Sequence, residues 1–478
     1  MHPRLTLLDE NERRAIHAAT LEVLSQTGVK YASAKALGIL RAAGAEVDDE
    51  TRLTKLPARL VEEALARAPR RVLLAGRDPE KDVLLDGSRT WLTLDGTGSN
   101  TLDRASGERR LSTTDDVACA ARIADALDEV GIVWAPVSPN DADPRLEILE
   151  QLATLLRNTG KHIQPEVQRE EEVPYVMEML AAASDSGAWD PARPIFSVVY
   201  CPISPLQHER EMLDAAIELV KLGVPMCIYT LATCGATAPV TMAGGVLQTN
   251  AEILSAIVLF ELVKPGAPVI YTSDCGVLDM RSGTYASCGP EAILMNVALA
   301  EMGRHYDLPV MATGLTSDAR EYSVIAGFEG GASAMVSMLT RPDILVGAGL
   351  IDSAQTLVTE KLALDAEIFR QCEAVQRGFA VDDEHLLADV IGEVGPGGHY
   401  LVAKSTRRFL RAGEVYQPRA YQRVSYDQWK ALGRSDVGGV AAQVDELLVA
   451  HVVKPLPAGA DERFAEIVAR AVAELPER

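Results

Sequence analysis

From Ser112 onward the chain alternates short apolar runs with stretches of helical periodicity, and the runs begin near Ile132, Ile163, Ile195, Pro225, Pro268, Leu308, Ile344 and Phe379. Their separations are all about 30 to 43 residues, the length needed by a strand, a return helix and two loops. Between them, Leu146–Leu156, Val173–Ala183, Leu206–Leu222, Gln248–Val263, Pro290–Tyr306 and Ala354–Arg377 each carry an amphipathic helical pattern. An open doubly wound sheet would show fewer units and a glycine-rich phosphate loop after its first strand. Eight units predict closure, so the expected fold is α/β, a (β/α)8 TIM barrel with an N-terminal α+β accessory region and C-terminal helices.

The flanks read differently. Residues 1–111 predict an accessory region: helices before Gly28, at Ser33–Ala43 and at Ala58–Ala68, then short strands at Val72–Leu74, Val83–Leu85 and Trp91–Leu94. Thr113-Thr114-Asp115-Asp116 is a capping cluster that starts a helix through Ala126. The barrel is expected over residues 112–391 and a helical extension over 392–478, where Asp436–His451 and Asp461–Leu475 read as surface helices.

A net charge of −22 argues against a nucleic-acid partner, which needs clustered Lys and Arg, and favours attraction of cations. The seven cysteines lack the dense spacing of a secreted disulfide scaffold, the start lacks a signal-peptide core, and no run of roughly 20 unbroken apolar residues is seen. A cytoplasmic protein without a membrane segment is expected, and a homo-oligomer is its common form. The cysteine and histidine spacings fit no metal site.

In a barrel the reactive groups sit at the carboxyl ends of strands. Those ends carry Trp134, Asn140 and Asp141; Gln164 and Glu166; Tyr200 and Cys201; Tyr229 and Thr230; Tyr271 to Cys275; Thr313 to Asp318; and Gly347 to Ser353.

The stretches TGLTSDAREYSVIAGFE from Thr313, GAGLIDSAQTLVTEKLALDAEIF from Gly347 and GPGGHYL from Gly395 resemble the trimethylamine methyltransferase family, including its members without pyrrolysine, such as glycine betaine methyltransferase. TLEVLSQTGV, AGAEVDD and AGRDPEKDVLLDG extend the resemblance to the N-terminal region. It implies a barrel enzyme that moves a methyl group from a small methylated amine to the Co(I) of a corrinoid (cob(I)alamin to methylcobalamin) carried by a separate corrinoid-binding protein, with no metal bound directly. Founding members use pyrrolysine on trimethylamine. None occurs here, so a quaternary amine such as glycine betaine is the expected substrate.

Such a cation needs aromatic faces and countercharge. The resemblance makes Trp134, Tyr200, Tyr229 and Tyr271 candidates for the first, with Gln164 beside them, and Asp274, Asp318 and Asp352 for the second, Asp274 and Asp318 being the catalytic pair. A betaine carboxylate would need donors such as Arg320, Gln355, His399 or the backbone amides around Gly349. Ser323, Ile325 and Ser405 stand where the family pattern has an acidic residue, a Gln and a His. A non-catalytic binder of a small cation, or a barrel lyase or hydrolase, is the alternative reading.

Overall fold

The computed structural model describes residues 3–433 and 436–476, the side chains of 436–438 excepted. Eight parallel strands form its centre: β1 (Trp91–Leu94), β2 (Val130–Val133), β3 (His162–Ile163), β4 (Val198–Tyr200), β5 (Met226–Thr230), β6 (Val269–Ser273), β7 (Val310–Thr313) and β8 (Ile344–Ala348). Each pairs with its sequence neighbour, β8 pairs back onto β1 (Ile344 opposite Trp91), and the parallel bridge between Ile163 and Phe196 joins β3 to β4. The ring is therefore a TIM barrel. Eight helices return the chain: α1 (Thr114–Ala126), α2 (Glu147–Asn158), α3 (Val173–Ala183), α4 (Arg210–Lys221), α5 (Met242–Val263), α6 (Pro290–His305), α7 (Val324–Met338) and α8 (Thr359–Arg377).

Two expectations about strands are corrected. The run at Phe379 forms no strand, and Phe379 is exposed; the eighth place belongs to Trp91–Leu94, expected in the accessory region. The physical reason is that WLTL is buried from Leu92 to Leu94 and finds ladder partners on both sides, in β8 and β2, whereas Phe379 follows Gly378, whose positive φ ends α8. Helix α5 also departs from expectation. It is long and apolar enough to cross a membrane, but 78% of that window is buried, against α6 and the N-terminal helices Glu10–Glu22 and Ala58–Arg67.

Strand residues alternate between two cores. Ile132, Trp134, Val199, Cys227, Tyr229, Ile270, Met311, Ile344 and Val346 fill the barrel interior, while Val133, Tyr200, Ile228, Tyr271 and Leu345 face the helices, as the two-residue period of a strand requires. The antiparallel ribbon Val72–Leu74/Val83–Leu85 inserts Val72, Leu74, Val83 and Leu85 into the interior core and closes its floor. With the floor plugged, the open end is the carboxyl end. The helix Ala460–Glu474 lies on α3, where Arg470 stacks on Tyr175 and pairs with Glu178 at 2.7 Å.

Candidate functional site

Each of the eight strands, or the segment directly after it, sends a residue into one cavity of about 240 Å³ above the barrel core: Asp95 after β1, Trp134 after β2, Glu166 after β3, Cys201 after β4, Tyr229 in β5, Asp274 after β6, Thr316 after β7 and Ser353 after β8. Tyr285 and Ser287 join from the ribbon after β6, and Gln355 from the turn after β8. The cavity shares Gly96, Thr97, Glu166, Cys201 and Leu231 with an outer cleft of about 1,110 Å³, so a small molecule can reach it from outside.

Parity explains the membership. Trp134 and Tyr229 meet edge to face at 5.3 Å, and the Tyr285 hydroxyl donates to the Asp274 carbonyl at 3.0 Å. A side chain at Gly96 would collide with the indole, its Cβ 2.5 Å from Trp134 Nε1; glycine lets the turn pass beside the ring.

The ionisable side chains lining this cavity are acids, phenols and a thiol. Burial pushes Asp95 up to about 6. Burial, then the charge of Glu147, pushes Glu166 up to about 7. Asp274 rises to about 8 through burial and then the charges of Asp95 and Asp318. The Cys201 thiol is pushed well up by burial and is no thiolate at neutral pH. No Lys, Arg or His lines the cavity among the described residues. Asp274 Oδ1, Trp134 Nε1 and Thr316 Oγ1 are buried without a hydrogen-bond partner. Carboxyls desolvated together with no basic partner favour a cation, and unpaired buried polar atoms favour a ligand that satisfies them.

Of the residues singled out in the sequence, Trp134, Tyr229, Asp274 and Gln355 come together here, with Glu166, Cys201, Thr316 and Ser353 from the strand-end stretches. Asp318 lies just outside the lining; it accepts from Ser287 Oγ at 2.7 Å, Ser353 Oγ at 2.6 Å and Cys288 Sγ at 3.2 Å. Burial raises its pKa, and the bonds from Ser353, Ser287 and Cys288 outweigh burial, leaving it below the usual carboxylate value. It ties the loops after β6 and β8 together. Gln164 donates to Ser197 at 2.9 Å and is not part of the lining.

The others are not brought to the cavity. Tyr200 bonds His208 at 2.7 Å and Tyr271 donates to Asn250 at 2.7 Å, both on the helix-facing side. Asp352 pairs with Arg109 and with Arg320, which is 62% exposed. The Gly349 amide donates to Asp365 at 2.8 Å, so that loop cradles a protein carboxylate. His399 is exposed. Asp95, Thr97 and Tyr285 were missed in the sequence. An acid directly after the WLTL run was the available signal for Asp95, masked by placing that run outside the barrel.

The fold and its cavity define a class: a TIM-barrel protein with a buried acidic and aromatic cavity at its carboxyl-end mouth. Residues 1–476 match the trimethylamine methyltransferase (MTTB) family, and the chain belongs to that family. It is 32% identical over 449 residues to trimethylamine methyltransferase MttB of Desulfitobacterium hafniense (strain DSM 10664 / DCB-2), covering 94% of this chain and 90% of the relative. It is 28% identical over 477 residues to glycine betaine methyltransferase of Desulfitobacterium hafniense (strain Y51), covering 99% of each. Among solved structures, the monomethylamine methyltransferase of Methanosarcina barkeri superposes with a TM-score of 0.51 at 12% identity, over 99% of this chain and 90% of that one, a likeness of fold.

Proposed function

We propose that this methyltransferase takes a methyl group from a quaternary amine and passes it to the Co(I) of a corrinoid on a partner protein. The observation that carries the reading is the set of Asp95, Glu166 and Asp274, buried around Trp134, Tyr229 and Tyr285 with no basic side chain in the lining. A quaternary ammonium offsets part of their charge and gains about 0.5–2 kcal/mol from each well-placed ring. It has no N–H, so its hold is ring faces and carboxylates, and its leaving group departs as a neutral amine without an acid's help. Glycine betaine, the substrate in the name of one relative, is one member of this class.

The acceptor supplies a strong nucleophile, and its electron pair forms the new bond to methyl as the C–N pair returns to nitrogen. The protein's own tasks are to hold the cation, aim its methyl group toward the mouth and keep bulk water out. The shared wall at Gly96, Thr97, Glu166, Cys201 and Leu231 supports approach of the acceptor from the outer cleft. Seven free cysteines and so reduced an acceptor support a cytoplasmic setting.

Incubating the protein with cob(I)alamin and a panel of mono- to tetra-substituted amines, and following the corrinoid absorbance, tests the reading. Turnover with quaternary amines is expected. Turnover confined to other amines contradicts it.

A further inference from the structure

We infer, resting on the quaternary-amine reading, that the inner cavity selects a quaternary ammonium whose tail ends in an uncharged hydroxyl and discriminates against one whose tail ends in a carboxylate. The first ground is charge. A tail carboxylate would lie in a space of about 240 Å³ among Asp95, Glu166 and Asp274, where like charges disfavour each other strongly in a desolvated site.

The second ground is the donors. The Ser287 and Ser353 hydroxyls already donate to Asp318. In the outer cleft Arg169 is held by the buried Glu172 at 2.9 Å and Arg210 is exposed beside Glu211, and Arg320 pairs with Asp352 at the surface. Among the described residues no cationic side chain lines the inner cavity to meet a carboxylate there.

The third ground is what the cavity leaves unpaired. Trp134 Nε1 offers a donor, Asp274 Oδ1 an acceptor and Thr316 Oγ1 a hydroxyl, all buried and all in the lining. A hydroxyl both donates and accepts, so it can bond Asp274 and Trp134 or Thr316 at once; a carboxylate only accepts and leaves Asp274 facing another negative charge.

Calorimetry on the full chain at pH 8 with three ligands sharing one trimethylammonium head tests this: tetramethylammonium (methyl tail), choline (hydroxyethyl tail) and glycine betaine (carboxymethyl tail). Choline is expected to bind at least about tenfold more tightly than glycine betaine, the scale of one charge-assisted hydrogen bond. Asp274→Asn should narrow that gap. Trp134→Phe, which keeps a ring and removes Nε1, should cost choline more affinity than tetramethylammonium. Glycine betaine binding as tightly as choline overturns the inference while leaving the quaternary-amine reading intact. Failure of all three ligands to bind overturns that reading, and the inference with it.

Discussion

Asp274 is the acid with the most raised pKa in the cavity, and in the proposed function it meets the cation. Its carboxyl stays protonated in the folded chain up to about pH 8, while in the unfolded chain it ionises near the ordinary value. Between those two pKa values the unfolded state holds fewer protons, so stability falls as pH rises from about 4 to 8. Asp95 and Glu166, raised to about 6 and about 7, act in the same direction. Asp274→Asn should therefore raise the melting temperature at pH 8 and raise it much less at pH 5, while weakening cation binding; calorimetric scans at the two pH values check it. A variant that loses stability at pH 8 would contradict the assignment.

The tyrosines separate by face. Tyr229→Leu should cost a bound quaternary ammonium about 0.5–2 kcal/mol in a titration. Tyr271→Phe should leave affinity unchanged and cost about 1–3 kcal/mol of stability in urea, because it strands the buried Asn250 Oδ1. The sequence showed both tyrosines at strand ends but could not tell them apart. MCIYT and VIYTS are buried throughout, and strands covered on both faces lose the polar alternation that reveals which side is which.

Among the elements, the return helices were legible because their caps and periodicity are local. Val173–Ala183 matches the expected span, and the capping cluster at Thr113 does start α1. Helix α7 was not anticipated: Gly327, Gly330 and Gly331 lower its intrinsic propensity, and its stability comes from packing on α8 and α6. The assignment of β1 also needed tertiary information, since a four-residue strand carries no mark of which sheet it joins. Strand β8 depends on Gly347, at φ +129 with its Cβ position 1.8 Å from the Gly314 carbonyl oxygen. Gly347→Ala should destabilise the barrel by about 3 kcal/mol, read from its denaturation midpoint; a change within about 0.5 kcal/mol would contradict the close approach described. Gly96→Ala should displace the Trp134 indole and weaken ligand binding more than it lowers stability.

At the scale of the whole molecule, charge and cavity point the same way. The chain carries −22 overall, and the outer cleft sets Glu147, Glu170, Glu171, Glu211 and Asp214 against Arg169 and Arg210, so cations are drawn toward the mouth. Plugging the barrel from below and gathering residues from the strand ends above leaves a desolvated space where, among the described residues, the acids lack a basic partner in the lining. In the proposed function a cation completes that space, and completing it requires the carboxyls to ionise. The most direct test is a calorimetric titration of tetramethylammonium in buffers of different ionisation enthalpy between pH 6 and 9. The account predicts that affinity rises with pH across about 6 to 8 and that binding releases protons to the buffer. Binding that is absent, or that is independent of pH with no proton release, would contradict it.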